Sequence, residues 1–191
     1  KKWGSFVNDS RNLAIKLSVI LEEDVDKRYF QRMIPNFIFS SKENLRKGVN
    51  FDELDLSEEE FQELQSKKHV PNAISQLIFK KVVELKKQGK ISEQEFFILN
   101  QNMNAFLDSL GACERIRNTP IPFSYSLFLK KFIFIYVTTL PLAFVTIFGY
   151  YAALIATFVF YVLVSMEVLA EEIEDPFGTD DNDLPTDSIS E

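Results

Sequence analysis

The sequence predicts an all-α protein made of a helical bundle and a hairpin of two membrane helices. It lacks the strict alternation of apolar and polar residues that is typical of β-strands, and it has no two-residue hairpin signal. Apolar residues instead recur at helical spacing between capping residues and glycines. The run from Phe132 to Met166 carries no charged side chain, and its 35 residues exceed the roughly 20 that one membrane helix needs.

Amphipathic segments begin at the first residues of the chain. We predict a helix over Ser5–Glu23, with Ile15 outside its apolar face and available to a second neighbour. A second helix, Val25–Met33, should stop before Pro35, because the residue before a proline avoids the helical region. Serines and a glycine bracket a short third helix at Lys42–Arg46.

Two capping boxes predict the starts of later helices. Ser57 is followed three residues on by Glu60, and Ser92 stands in the same relation to Glu95. A glycine after the last apolar residue favours helix termination. The predicted helices are Glu58–Lys67, Val70–Gln88, closed by Gly89, and Glu93–Leu110, closed by Gly111.

The uncharged run is long enough for two short spans that turn at Gly149. We predict the spans at Phe128–Ile147 and Tyr150–Leu169. Pro120 and Pro122 precede them and should fix an extended step, because proline does not propagate a helix there. The resulting organisation is a cytoplasmic helical domain (1–127), two membrane helices (128–169) and an acidic cytoplasmic tail (170–191).

Charge is distributed unevenly along the chain. All 21 Lys and Arg residues lie before Phe132, the net charge is −7, and only acidic charges follow Phe132. Lys130 and Lys131 are the basic residues expected at the cytoplasmic end of a span. The chain has no basic stripe with interleaved aromatics, which excludes nucleic acid as a partner.

The sequence contains no group of residues that is typical of an enzyme active site. Cys113 is the only cysteine, so an internal disulfide is excluded, and His69 is the only histidine, so one chain cannot build a multi-histidine metal site. The chain has no nucleophile motif and no glycine-rich phosphate loop. We interpret Cys113 as a core residue and His69 as a structural residue at a helix start.

Two segments remain as candidate sites. The tail offers seven carboxylates within a short distance, with Gly178 to turn the backbone, and could bind calcium or simply be a solvated acidic segment. The bulky residues Phe96, Phe97 and Ile98 follow a capping box and belong either to the core or to a ring at an oligomer axis. The carboxylates are Glu171, Glu172, Glu174, Asp175, Asp180, Asp181 and Asp183.

The chain resembles the bestrophin family in its bacterial branch. The likeness is carried by Trp3–Arg11, by Gly111–Pro122 with its two prolines, by the two apolar spans, and by Glu174–Asp187. The most specific motif is Pro176-Phe177-Gly178 followed by an acidic run. The likeness extends over essentially all of this chain and over the later two-thirds of a family member.

The resemblance implies a subunit of a C5-symmetric homopentameric ion channel in the bacterial inner membrane. Its partners would be four further copies, the lipid bilayer and the permeating monovalent ions, which are cations in bacterial members. The family's first two membrane helices, with the neck of the pore, would lie before Lys1. A second, cytoplasmic constriction is placed at Phe96 or Phe97, with Ile98 next.

The resemblance also bears on whether the acidic run binds calcium. In vertebrate members the acidic run forms a calcium clasp, whereas bacterial members are not generally gated by calcium, so no cofactor is required here. This sequence departs from the vertebrate pattern at Thr179 and Asn182. Carried over by position, the clasp would use carboxylates of Asp180 and Asp183 and carbonyls of Glu172 and Asp175.

Two other interpretations belong to different classes. One is a membrane-anchored helical interaction module without channel activity, and the other is a soluble metal-sensing helical protein. Detergent dependence and mass distinguish them, because a channel subunit should need detergent and run as a pentamer.

Overall fold

A computed structural model describes residues 2–46, 48–119, 121–174, 176–178 and 183–190 of the chain. Within these ranges the regular structure is entirely helical, as predicted, and a short 3-10 turn lies at Phe51–Glu53. The helices are α1 (Lys2–Ile20), α2 (Asp24–Leu45), α3 (Glu58–Gln65), α4 (Val70–Lys87), α5 (Glu93–Asn118), α6 (Phe123–Phe148), α7 (Tyr151–Glu174) and α8 (Thr186–Ser190).

The chain divides into two compact units. The first contains Lys1–Asn118 together with Pro185–Glu191, and the second contains Thr119–Leu184. The division places α1 to α5 and α8 in the first unit and the hairpin of α6 and α7 in the second. The chain therefore leaves the first unit after α5, forms the hairpin, and returns to the first unit at α8.

The core of the first unit lies where α1, α2 and α5 meet. Phe37 of α2 is fully buried and stacks on Phe106 of α5, with ring centroids 5.0 Å apart. Phe6 of α1 approaches Phe37 at 5.4 Å, and Trp3 approaches Phe6 at 5.2 Å. Burial of these large rings is the main favourable contribution to packing of the three helices. The remaining face of α2 packs on α4.

The predicted end of the second helix at Met33 is wrong. Helix α2 continues through Pro35 to Leu45, so the separate helix predicted at Lys42–Arg46 is its last turn. Proline removes one intrahelical hydrogen bond. Burial of the apolar face on both sides of Pro35 outweighs that cost, since Phe30, Met33, Ile34 and Phe37 are all buried.

The predicted end of the fifth helix at Leu110 is also wrong. Helix α5 continues through Gly111 to Asn118. A glycine inside a helix costs about 1 kcal/mol relative to alanine. Leu110 and Cys113 are buried on either side of it, so tertiary packing again overrides the local signal.

The predicted caps are confirmed. The side chains and backbones of Ser57 and Glu60 bond reciprocally, as do those of Ser92 and Glu95. His69 caps α4, because its Nδ1 accepts a hydrogen bond from the backbone N–H of Asn72 at 3.2 Å. The remaining helix starts and ends lie within a few residues of the predicted ones, the usual uncertainty of helix termini.

The second unit is a helical hairpin with its turn at Gly149, as predicted. Gly149 has a φ of 54°, a conformation that favours glycine because it lacks a Cβ atom. The helices are longer than the predicted spans: α6 begins at Phe123 rather than Phe128, and α7 ends at Glu174 rather than Leu169. By length and composition both helices could cross a membrane.

Candidate pore constriction and ion-pair clusters

The start of α5 separates the three predicted constriction residues by their environment. Phe96 packs inward, with its ring 6.2 Å from that of Phe79 and the Lys86 Nζ 4.4 Å from its centroid. Phe97 is 65% exposed and Ile98 is 44% exposed. Phe97 therefore has the largest apolar surface available to a neighbouring molecule at this helix start.

The helix start that carries Phe97 is held against α4 by charge as well as by packing. Lys86 Nζ lies 2.8 Å from the Glu93 carboxylate and also over the Phe96 ring. The capping box of Ser92 and Glu95 stabilises the same turn. A capped and ion-paired helix start has a defined backbone position, which a constriction built on it requires.

A buried carboxylate joins α2 to α4 and its following turn. The Asp26 side chain is 5% exposed and lies 3.1 Å from Lys81 Nζ and 2.9 Å from Lys90 Nζ. Burial alone would raise the pKa of Asp26, but hydrogen bonds from Lys90 and Lys81 lower it below its ordinary value. The two lysines neutralise the charge of Asp26, so we interpret this cluster as structural.

A second cluster lies at the last turn of α2 and was missed by the sequence analysis. Lys42 is buried, and its Nζ donates hydrogen bonds to Glu53 at 3.0 Å and to Asp187 of α8 at 2.8 Å. Arg46 donates to both carboxylate oxygens of Asp187, at 3.0 and 2.7 Å, and to Thr186 Oγ1. No local pattern could have revealed it, because Arg46 and Asp187 are 141 positions apart.

The end of α5 also contacts this turn of α2. Arg117 donates hydrogen bonds to the carbonyls of Asn44 and Arg46, each at 2.7 Å. Asn44 donates to Glu114 at 3.1 Å, and His69 Nε2 lies 2.7 Å from the same carboxylate oxygen. The two hydrogen bonds from Arg117 satisfy carbonyls that the end of a helix leaves without intrahelical partners.

The docking of α8 should depend on pH only in strong acid. Hydrogen bonds from Arg46 and Lys42 lower the pKa of Asp187 to about 2 from 3.8. A depressed folded-state pKa contributes stability above the unfolded value that is lost as pH falls through the folded value. We expect α8 to stay docked from neutral pH to about 4 and to detach between about 4 and 2. Hydrogen exchange of residues 185–190 measures this, and release near pH 6 would contradict it.

In the second unit one basic residue joins the two helices of the hairpin. Lys130 Nζ of α6 lies 3.3 Å from Glu167 and 2.5 Å from Glu171, both on α7. Charged side chains near a span end are tolerated when they pair with each other or reach the interface. The pairing sets the register of the hairpin at the end opposite Gly149.

The family-motif residues flank the hairpin in the chain, before α6 and after α7. Pro122 is extended, with a ψ of 128°, and precedes the first turn of α6, as expected. The Pro176 carbonyl accepts a hydrogen bond from the N–H of Leu184 at 3.0 Å, Phe177 is buried, and Gly178 follows. Pro120 lies outside the described residues.

The predicted calcium ligands are only partly described. Glu172 is exposed on α7 and Asp183 is half-buried, whereas Asp175 and Asp180 lie outside the described residues. Among the side chains that the structure does describe, no group of three or more His, Cys, Asp or Glu residues could hold a metal ion. The calcium site stays a prediction.

Comparison with known proteins identifies the family. All residues from 1 to 191 match the model of the family described as Bacterial/Fungal Bestrophin protein. The chain belongs to this family. This bestrophin is 33% identical to the Voltage-dependent anion channel-forming protein YneE of Escherichia coli (strain K12), over 99% of the chain and 63% of that relative. A Voltage-dependent anion channel-forming protein of Nostoc sp. is also 33% identical, over 99% of the chain and 64% of the relative.

Solved structures agree with this assignment. A bacterial bestrophin homologue from Klebsiella pneumoniae superposes on this bestrophin with a TM-score of 0.93 at 32% sequence identity. The match covers 99% of this chain and 71% of that one. The chain spans 63% of the length of the Escherichia coli relative.

Proposed function

We propose that this bestrophin is a subunit of a homopentameric ion channel in which five chains surround one axial pore. The observation that carries the proposal is the family match over residues 1–191, together with curated relatives that are named channel-forming proteins. The two long apolar helices α6 and α7 supply spans for the bilayer. The protein would move ions and catalyse no reaction.

The cytoplasmic constriction of this channel would be a ring formed by Phe97 of each subunit. The exposure of Phe97, on a helix start that is capped and ion-paired, supports the assignment. Ile98, which is less exposed, would border the ring, and Phe96 would support it from within the subunit. Rings of apolar side chains narrow a pore and gate it by dewetting.

The orientation of the hairpin follows from the distribution of basic residues. Lys130 and Lys131 lie in the first turns of α6, and Arg115 and Arg117 lie at the end of α5. Cytoplasmic flanks of membrane helices carry an excess of Lys and Arg. Because two spans return the chain to its starting side, the helical domain and the tail would both be cytoplasmic, and the protein would be a multi-pass protein of the inner membrane.

The sign of the conducted ion is the part of the proposal that differs from the names of the relatives. We propose monovalent cations, because the net charge is −7 and only acidic charges follow Phe132. The curated relatives are named for anions. Acidic residues of the tail near the cytoplasmic mouth of the pore would concentrate cations there, whereas an anion channel would have to overcome their field.

Reversal potentials test both the channel and its selectivity. The full-length protein is purified in detergent, its mass is measured, and its currents are recorded in planar bilayers under a NaCl gradient. We expect a pentamer and a reversal potential near the Nernst potential of sodium. A value near that of chloride would reject cation selectivity and keep the channel. A monomer that is soluble without detergent and carries no current would reject the channel itself.

Calcium should not gate this channel. We expect unchanged currents when free calcium is varied from nanomolar to millimolar concentrations, because this sequence departs from the vertebrate clasp at Thr179 and Asn182. Bilayer currents of the wild-type protein and of Asp180→Ala provide the measurement. Strong activation by calcium that Asp180→Ala abolishes would show that the acidic run is a calcium site.

A further inference from the structure

The last turn of α2 contacts both segments of the chain that flank the membrane hairpin. On one side Arg117, in the last turn of α5, donates hydrogen bonds to the carbonyls of Asn44 and Arg46. On the other side Arg46 and Lys42 bind Asp187 of α8. Helix α5 leads into α6, and α8 follows α7. One helical turn therefore holds both the helix that precedes the hairpin and the helix that follows it.

The contact with α8 is a group of charge-assisted hydrogen bonds to a very short helix. The Arg46 guanidinium binds both oxygens of Asp187, which is the bidentate geometry that gives the strongest charge-assisted pairs. Lys42 supplies a second cation from a buried position, and its side chain is only 6% exposed. Thr186 is buried at the start of α8 and accepts a hydrogen bond from Arg46 at 2.8 Å. A helix of this length has no stability of its own.

Side-chain cations supply the positive charge that binds Asp187. Two cations, Arg46 and Lys42, face Asp187, and Lys42 also pairs with Glu43 and Glu53. Asp187 is 60% exposed, so its ion pairs are open to screening by salt. A segment held in this way should release as ionic strength rises, and it needs no metal ion to stay docked.

We propose that Lys42, Arg46, Arg117 and Asp187 form a clamp that holds α5 and α8, the helices before and after the membrane hairpin, on one turn of α2 and sets the open probability of the channel. The consequence for gating rests on the proposed channel function. Release of Asp187 frees α8 from this turn, while Arg117 keeps the end of α5 on it. Arg46 and Asp187 act as positioning residues, since neither is assigned to the pore.

Hydrogen exchange of the assembled full-length protein in detergent tests the clamp without any recording of current. In Asp187→Asn the exchange of residues 185–190 should accelerate about tenfold, the scale of a lost charge-assisted pair. The double variant Arg46→Gln with Asp187→Asn should exchange only slightly faster than Asp187→Asn alone, because Asp187→Asn already removes the ion pair and the second change removes only the hydrogen bond from Arg46 to Thr186. Asp108→Asn, the same change at an exposed position of α5, is the matched control.

Two further exchange measurements examine the joint role of the α2 turn and its independence of metal. Arg117→Gln should accelerate exchange at the end of α5 and at residues 185–190, because both contacts depend on one turn. Chelation by EDTA should leave the wild-type exchange unchanged, and high salt should accelerate it. Unchanged exchange in Asp187→Asn, or acceleration by EDTA, would overturn the clamp.

Single-channel recording tests the effect on gating. Asp187→Asn and Arg46→Gln should shift the open probability several-fold and weaken its dependence on ionic strength, with the single-channel conductance unchanged. A merely stabilising pair would alter thermal stability and leave the open probability equal to that of Asp108→Asn, which would overturn the gating role. Absence of any wild-type current would reject the proposed channel function and the gating role, whereas the exchange result would still decide whether the clamp exists.

Discussion

Replacing Phe97 with alanine should increase the single-channel conductance of this bestrophin and weaken its ion selectivity. Phe97 is 65% exposed at the start of α5, so truncation removes an aromatic ring from the proposed aperture and little from the core. An apolar ring restricts ions by dewetting, and a wider ring holds water more readily. Single-channel recording in planar bilayers, with reversal potentials in salt gradients, measures both quantities.

Two matched variants show whether the effect belongs to the ring. Phe96→Ala should weaken the contact of α5 with α4, since Phe96 lies against Phe79 and Lys86, and should alter the conductance less than Phe97→Ala does. Phe61→Ala, on α3, should leave conductance at the wild-type value. Equal currents in Phe97→Ala and wild type would remove Phe97 from the aperture, and a larger effect of Phe96→Ala would move the ring by one residue.

Replacing Phe37 with alanine should destabilise the first unit by about 3–5 kcal/mol, the cost of deleting a fully buried aromatic side chain. The Phe37 ring is 0% exposed and contacts aromatic rings of both α1 and α5. Its loss therefore leaves a cavity where three helices meet. Thermal unfolding followed by the fluorescence of Trp3, the one tryptophan in these 191 residues and a neighbour of Phe6, reports on this core.

Phe97→Ala is the natural control for this measurement because it makes the same change on an exposed surface. Its unfolding temperature should stay close to that of wild type, since exposed substitutions usually change stability by less than about 0.5 kcal/mol. The two variants thus form a crossed pair, one affecting the current and the other the stability. A Phe37→Ala protein as stable as wild type would mean that the aromatic cluster contributes little to the packing.

Local signals predicted most helix starts and missed two helix ends. The capping boxes at Ser57 and Ser92 and the turn at Gly149 are satisfied within a few residues of the chain, so their patterns are sufficient. Pro35 and Gly111 are unfavourable inside helices, and the local pattern accordingly predicted helix ends there. The burial of neighbouring apolar side chains, which depends on other helices, outweighs both costs.

The candidate site was likewise predicted in part from the sequence and decided in part by tertiary contacts. The sequence placed bulky apolar residues just after a helix cap but could not rank Phe96 against Phe97, because their difference is the contact of Phe96 with α4. The density of carboxylates in the acidic tail led to the prediction of a calcium site. The described carboxylate with the clearest role in that region is Asp187, which pairs with Arg46 and Lys42.

The sequence by itself determined the helical class, the hairpin of apolar helices and the family, because periodicity, capping and an uncharged run are properties of neighbouring residues. Only the tertiary structure decided that α2 passes through Pro35, that Phe97 rather than Phe96 is exposed, and that α8 docks on the last turn of α2. Each of these depends on free energy gained between segments far apart in the chain. Such contacts leave no mark in the local pattern of residues.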